Sequence, residues 1–164
     1  MSKPRQNEII YQIIMHHINH YKEVKKIFKI DYDSHMILVT VYSHNLYETL
    51  NPSRRKNAKE GLEWNEMFPV IKGLSKTNKT YKTKLSIFSV AQVLDMPKES
   101  VRRKVQELCK KKYLDYSISE GLSLGDSFET LARKIAPKDI FALTKVIKSV
   151  STNGGIDFLL KSVK

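Results

Sequence analysis

The chain has 164 residues, 41% of them hydrophobic, which is enough for one domain with a buried core and too many for a disordered segment. Purely apolar runs such as Met36–Val39 are far shorter than the roughly 20 residues needed to cross a bilayer. Met1–Glu8 lacks the apolar stretch of a secretion signal, and the single cysteine, Cys109, excludes an intramolecular disulfide and a multi-cysteine zinc site. We therefore expect a cytoplasmic protein with no membrane partner.

The charge is large, positive and concentrated in two segments. The chain has 29 Lys and Arg against 17 Asp and Glu, for a net charge of +12. Residues 98–112 carry seven basic and two acidic side chains, and residues 51–84 carry nine basic and three acidic ones, so 11 of the 12 excess charges lie in these segments. A local concentration of positive charge is typical of proteins that bind the phosphate backbone of nucleic acid.

The first third of the chain predicts two helices. Apolar residues recur at three- and four-residue spacing over Ile10–Phe28, which indicates an amphipathic helix of about 24 residues that begins near Pro4. Asp31 and Asp33 are candidate N-caps of a second helix, Ser34–Leu50, because a short carboxylate accepts hydrogen bonds from the N–H groups of a first turn. Apolar residues surround most of this second helix, so we expect it to be buried on more than one face.

Residues 51–84 are predicted to form a basic insertion with a short helix inside Glu63–Leu74. A connection of this length is unusual in a compact domain, which favours a functional role. The helix that packs before Leu85 in the core is either Ser34–Leu50 or Glu63–Leu74. We favour Ser34–Leu50, because it is the more apolar of the two.

The segment that follows predicts two helices separated by a tight turn. Ser86 is a candidate N-cap of a short helix, which ends at Asp95–Pro97. A longer helix then covers Lys98–Lys111, and its apolar residues at i, i+4 and i+7 define one face. These residues are Val101, Val105 and Leu108.

A β-hairpin is predicted after the longer helix. Tyr113–Ile118 and Leu122–Leu124 are strand-like, and Ser119–Gly121 supplies the turn between them. The order of short helix, tight turn, longer helix and hairpin is typical of a winged helix-turn-helix. In that architecture the second helix of the pair enters the major groove of DNA.

The stretch Leu85–Leu108 resembles the DNA-binding core of bacterial winged-helix regulators. The likeness is best to the MarR (multiple-antibiotic-resistance regulator) type, with the cyclic-AMP receptor type a near neighbour. With the hairpin that follows, the resemblance covers about 40 of the 164 residues. The resemblance implies a mostly α fold with a small β-hairpin wing, that is, a winged helix-turn-helix with flanking dimerisation helices. The family pattern of an Ala, an apolar turn residue, two Val and a Leu is met by Ala91, Met96, Val101, Val105 and Leu108.

Two features depart from the family pattern. Asp95 stands where such turns often have Gly, although Asp tolerates the left-handed conformation at some cost. The segment between Tyr113 and Phe128 has no Arg or Lys, whereas the wings of the family often carry a basic tip. Residues 51–84 are then a candidate source of phosphate contacts.

The resemblance also implies which side chains bind DNA. Arg reads guanine edges with two hydrogen bonds, Gln reads adenine, and Lys mostly contacts phosphate. The alternative is an ordinary solvated helix face; we favour DNA binding for Arg102 and Arg103. The DNA-binding residues carried over from the family are Lys98, Glu99, Ser100, Arg102, Arg103, Gln106 and Lys110.

Three segments follow from this interpretation: an N-terminal helix over residues 1–30, a winged helix-turn-helix domain over 31–127 with the basic insertion, and C-terminal helices over 128–164. Pro137 is expected to start a new helix after a break at Ala136, and a short final helix is expected at Ile156–Val163. The resemblance implies a homodimer formed by the N-terminal and C-terminal helices. Such a dimer reads a pseudo-palindromic site.

Other chemistry is less favoured. His16 and His20, four residues apart on one helix, could hold a metal ion, but a solvated or packed pair is favoured over a metal site. Cys109 could sense oxidants if the lysines beside it lowered its pKa, but a structural thiol is favoured. Three aromatic residues lie among basic ones and could stack on the bases of single-stranded nucleic acid, but we favour a role in which they partly cover the core. Those aromatic residues are Trp64, Phe68 and Tyr81.

The sequence has no Gly-rich phosphate loop and no recognisable nucleophile, so we expect neither catalysis nor a cofactor. It predicts a sequence-specific transcriptional regulator that binds double-stranded DNA as a homodimer through a helix at about residues 98–111. The alternatives are a winged-helix nucleic-acid binder in replication or chromosome organisation, and a winged-helix protein–protein interaction module. A small-molecule effector is left open, because a pocket at a dimer interface has no sequence signature.

Overall fold

The computed structural model describes residues 6–50 and 84–152, together with Ile156. This part of the chain forms five helices and one two-stranded antiparallel sheet, which confirms the prediction of a mostly α protein with a small hairpin. The elements are α1 (Gln6–Phe28), α2 (Tyr32–Leu50), α3 (Ile87–Val93), α4 (Lys98–Lys110), β1 (Leu114–Ser117), β2 (Gly121–Leu124) and α5 (Asp126–Thr152). The helix predicted within Glu63–Leu74, the aromatic residues at 64, 68 and 81, and most of the predicted final helix lie outside the described residues.

The chain divides into two compact units. The central unit is Asp31–Thr130, and the terminal unit combines Met1–Ile30 with Leu131–Lys164. Helix α5 begins in the central unit and continues in the terminal unit. Across the helices that the structure describes, none is long and apolar enough to cross a membrane.

The core of the central unit draws on every one of its elements. Helix α2 packs against α3, α4 and β2, and α4 packs against α3 and β1. The predicted preference for Ser34–Leu50 as the helix that packs with the following pair agrees with these contacts. The largest side chains that are less than 2% exposed are Ile37, Val41, Val90, Val101, Val105, Leu108, Leu114 and Leu122.

Short polar side chains cap α2 and α3 of the central unit. The Asp31 carboxylate accepts a hydrogen bond from the Ser34 N–H at 2.8 Å, so α2 begins two residues before the predicted start. The Ser86 hydroxyl accepts from the Ser89 N–H at 3.0 Å, which confirms the predicted cap of α3. In the turn before α4, Asp95 takes the left-handed conformation with a φ of 50°.

The hairpin is anchored to the residues that precede α3. Strands β1 and β2 pair in register from Leu114 opposite Leu124 to Ser117 opposite Gly121. The Leu122 N–H donates to the Leu85 carbonyl at 2.9 Å. Gly121 has a φ of +79°, and a Cβ on it would lie 2.5 Å from the Leu85 oxygen, so only glycine fits this approach.

The expectation of a helix break at Ala136 and a new start at Pro137 is wrong, because α5 continues through Pro137. A proline in a helix interior removes one N–H donor and disfavours the helical conformation of the residue before it. Contacts within the terminal unit lie on both sides of the proline. Ala132 and Ala136 are buried before it, and after it Lys138 Nζ lies 2.9 Å from a Glu23 oxygen and Asp139 Oδ1 lies 2.8 Å from His20 Nδ1, both on α1. Tertiary contacts therefore override the local effect of the proline.

The terminal unit buries some of its apolar side chains and leaves others of similar size exposed. Its buried apolar residues include Val24, Phe28, Ala132, Ala136 and Val150. Nine large apolar side chains of α1 and α5 are between 44% and 62% exposed. They are Ile10, Tyr11, Ile13, Ile14 and Ile18 on α1, with Ile140, Phe141, Leu143 and Ile147 on α5.

Candidate nucleic-acid interface

Helix α4 has a buried side and a charged side. Pro97 precedes it with a φ of −57°, and the Pro97 carbonyl accepts the first helical hydrogen bond from Val101 at 3.1 Å. Val101, Val105 and Leu108 are at most 1% exposed. Six of the seven residues predicted to bind DNA are exposed and Ser100 is half-buried. The exposed six are Lys98, Glu99, Arg102, Arg103, Gln106 and Lys110.

Arg102 and Glu99 form an ion pair one helical turn apart. Arg102 Nη2 donates to Glu99 Oε1 at 2.6 Å, and Arg102 Nε donates to Glu99 Oε2 at 2.9 Å. The hydrogen bonds from Arg102 lower the pKa of Glu99, and the same bonds raise the pKa of Arg102. The carboxylate therefore stays charged at neutral pH and engages one edge of the guanidinium group.

Lys104 points away from the charged side. Its side chain is 12% exposed, and its Nζ lies 2.6 Å from Asp31 and 3.5 Å from Asp33 at the start of α2. Burial alone raises the pKa of Asp31, but hydrogen bonds from Lys104 and Ser34 outweigh it and lower that pKa to about 2. Of the seven basic residues in segment 98–112, Lys104 therefore joins α4 to the start of α2 and does not belong to the exposed charged side of α4.

Lys84 lies beside the hairpin, which the sequence did not predict. Its side-chain ammonium donates a hydrogen bond to the Ile118 carbonyl in the turn between β1 and β2. The backbone contact between Leu85 and Leu122 brings Lys84 to this place. That contact joins residues 37 positions apart, so no local pattern reveals it. The hairpin itself has no Arg or Lys, and Lys84 adds a cation to its tip.

The other candidate residues have structural surroundings. Burial raises the pKa of the Cys109 thiol, and Asp115 raises it further, so the suggested lowering by neighbouring lysines is wrong. His16 and His20 both face Asp139, at 3.9 Å and 2.8 Å. Within residues 6–50 and 84–152, no group of three His, Cys, Asp or Glu side chains is arranged to hold a metal ion.

No protein-family model matches the chain, and neither a curated protein nor a solved structure matches it. The residues of the central unit define a helix-rich domain that presents a charged helix beside an anchored hairpin.

Proposed function

We propose that this protein is a sequence-specific DNA-binding transcriptional regulator of the winged helix-turn-helix type, in which α4 is the recognition helix. The observation that best supports this proposal is the two-sided character of α4. Its apolar side is held in a core made with α2 and α3, and its other side exposes Lys98, Arg102, Arg103, Gln106 and Lys110. A hairpin follows directly, as in winged-helix domains.

The exposed side chains suit the edges of base pairs. Arg102 and Arg103 can each donate two hydrogen bonds to the O6 and N7 atoms of guanine, and Gln106 can pair with adenine. Lys98 and Lys110, near the two ends of the helix, suit phosphates on either side of the groove. The 13-residue helix is about 20 Å long, and an α-helix fits the major groove of B-DNA.

The hairpin is proposed to act as the wing, with Lys84 as its phosphate contact. The exposed tip offers Ile118, Ser119 and Glu120. None of these side chains carries a positive charge, and Glu120 repels phosphate. The ammonium group of Lys84 at the Ile118 carbonyl supplies the missing positive charge.

The protein is proposed to act as a homodimer through its terminal unit. Ile10, Ile14 and Ile18 are spaced by four residues, so they lie along one face of α1, and each is at least 45% exposed. Ile140 and Ile147 on α5 are also more than half exposed. A contiguous exposed apolar surface is typical of a protein–protein contact, and a second copy would cover it.

The direct test is selection of DNA fragments from a random pool by the purified protein. We expect a pseudo-palindromic site to be recovered, and we expect Arg102→Ala/Arg103→Ala to lose preference for it. The control is Lys22→Ala/Lys25→Ala, which removes two exposed positive charges from α1. Recovery of only sequence-blind, salt-sensitive binding would point instead to a role in DNA packaging or replication. Absence of salt-dependent DNA binding would favour the protein-interaction alternative.

A further inference from the structure

Glu99 is an acidic side chain on the otherwise basic surface of α4, in the first turn of the helix. Its side chain is 75% exposed, and it precedes Arg102 by one turn. A carboxylate at a DNA-facing position repels phosphate, so it weakens binding to any duplex. A carboxylate in the first turn also interacts favourably with the helix dipole. Both that interaction and the exposed ion pair contribute little to folding stability.

The geometry of the pair leaves Arg102 able to read a base. The guanidinium group has five N–H donors, and Glu99 engages the Nε donor and one Nη2 donor. The two Nη1 donors and the second Nη2 donor remain. One Nη1 donor and that Nη2 donor form a second edge of the same plane, which matches the O6 and N7 atoms of guanine. The carboxylate therefore holds the plane of Arg102 while its reading edge stays available.

We propose that Glu99 is a positioning residue that orients Arg102 and so determines which base pair α4 selects. This inference rests on the proposed function, because it assumes that α4 enters the major groove. Arg103 is a natural contrast, since it makes no ion pair among the described residues. Arg103 adapts to phosphates or to several bases, whereas Arg102 is fixed in direction before DNA arrives. Ordering a long side chain in advance removes part of the entropic cost of a specific contact.

Two opposite effects follow for Glu99→Gln. Binding to random duplex becomes stronger by about threefold, because one negative charge near the phosphates is removed. The preference for the selected site over random duplex falls about tenfold, because Arg102 is no longer held in one plane. A residue with only a structural role would change neither quantity in an equally stable protein.

The experiment measures binding of the full-length protein to its selected site, to single-base variants of that site and to random duplex. Glu107→Gln is the matched control, because it removes the same charge from another exposed position of α4. We expect Glu107→Gln to keep the site preference, and we expect the loss in Glu99→Gln to concentrate at one base pair per half-site. In an Arg102→Ala background, Glu99→Gln should cause no further loss of preference.

The outcomes separate this inference from the function on which it rests. If wild-type protein prefers no sequence, both the proposed function and the role of Glu99 fail. If wild-type protein prefers its site and Glu99→Gln preserves that preference, only the role of Glu99 fails. An equal loss in Glu99→Gln with and without Arg102 would also overturn the inference, because the effect would not pass through the arginine. Thermal unfolding of each variant establishes that all are equally folded.

Discussion

The two units of this chain bury their apolar side chains to different extents. The central unit has a core in which eight apolar side chains are less than 2% exposed, although Phe88 and Ile118 on its surface are more than half exposed. In the described part of the terminal unit, the buried apolar residues, which include Ile9, Val24 and Phe28, are between 3% and 7% exposed, and isoleucines of α1 and α5 are about half exposed. The central unit therefore has its own core, whereas the terminal unit has apolar surface that a partner can bury.

In the proposed regulator, this difference fits separate roles for the two units: DNA binding by the central unit and self-association by the terminal unit. A rigid, self-sufficient core keeps α4 and the hairpin in a fixed relation, as reading of base edges requires. A unit with exposed apolar helices suits association between copies. The following five predictions test or sharpen this contrast, in order of decreasing expected effect.

The largest effect is expected from Leu108→Ala. Leu108 is 1% exposed between the helices and the hairpin, so its truncation leaves a cavity that should lower the free energy of unfolding by about 3 kcal/mol. Ile14→Ala on α1, where the side chain is 51% exposed, is the comparison and should cost less than about 1 kcal/mol in the monomer. Urea unfolding measures both. Equal losses would show that the two units are packed alike.

The exposed face of α1 should control oligomeric state. We expect Ile14→Glu/Ile18→Glu to weaken self-association by at least about a hundredfold, because two carboxylates would be buried without partners in the interface. Sedimentation equilibrium measures the change, and circular dichroism checks that the helices persist. Lys22→Glu/Lys25→Glu changes charge on the same helix without removing apolar surface. A wild-type monomer, or a double variant that still dimerises, would contradict the assignment of this face.

The approach of Leu85 to the hairpin should make Gly121 intolerant of any side chain. Gly121→Ala places a Cβ against the Leu85 carbonyl in a left-handed backbone, so we expect a loss of about 2 kcal/mol in unfolding free energy. Ser119→Ala, in the exposed turn beside it, should be near neutral. A neutral Gly121→Ala would mean that the segment before α3 does not pack against β2. The proposed wing would then not be anchored by the contact between Leu85 and Leu122.

The Asp31–Lys104 pair should contribute a pH-dependent stability to the central unit. The folded pKa of Asp31, about 2, lies below its ordinary value of 3.8, so the contribution is full above pH 3.8 and is lost as the pH falls toward 2. Because Asp31 is exposed, screening by solvent limits the effect to less than about 1 kcal/mol. Asp31→Asn keeps an N-cap and removes the ion pair. The stability difference from wild type should therefore shrink in acid, and a pH-independent difference would contradict the pairing.

The smallest effect is expected from Lys84→Ala. If Lys84 contacts one phosphate, its removal should lower affinity by about threefold and reduce the salt dependence of binding by about one ion, with base preference unchanged. Lys84→Arg keeps the charge and should bind as wild type does. Self-association through the terminal unit should be the same in all three proteins. An unchanged salt dependence would remove Lys84 from the interface.

The sequence predicted the helices and the hairpin because each of them is determined by residues that are close together in the chain. The caps at Asp31 and Ser86, the left-handed Asp95 and the apolar stripe of α4 each depend on a few neighbouring residues. Two features escaped prediction because they depend on distant contacts. Helix α5 continues through Pro137 because residues on both sides of the proline are buried or contact α1. Lys84 reaches the hairpin because the distant residues Leu85 and Leu122 form a backbone hydrogen bond.

The exposed set on α4 was predictable from helical geometry alone, since residues opposite a buried stripe must face solvent. The directions of its side chains were not. Lys104 turned to the start of α2, and Glu99 engaged Arg102, because the rotamer of a long side chain depends on partners that only the folded chain assembles.

Cys109 gives the central unit an internal reporter. It is the single thiol of the chain, it is half-buried on α4, and burial keeps its pKa above the ordinary value, so it remains protonated at neutral pH. A protonated, partly covered thiol reacts slowly with alkylating reagents, and an opened one reacts quickly. A faster rate of alkylation therefore indicates opening around α4, without any added probe.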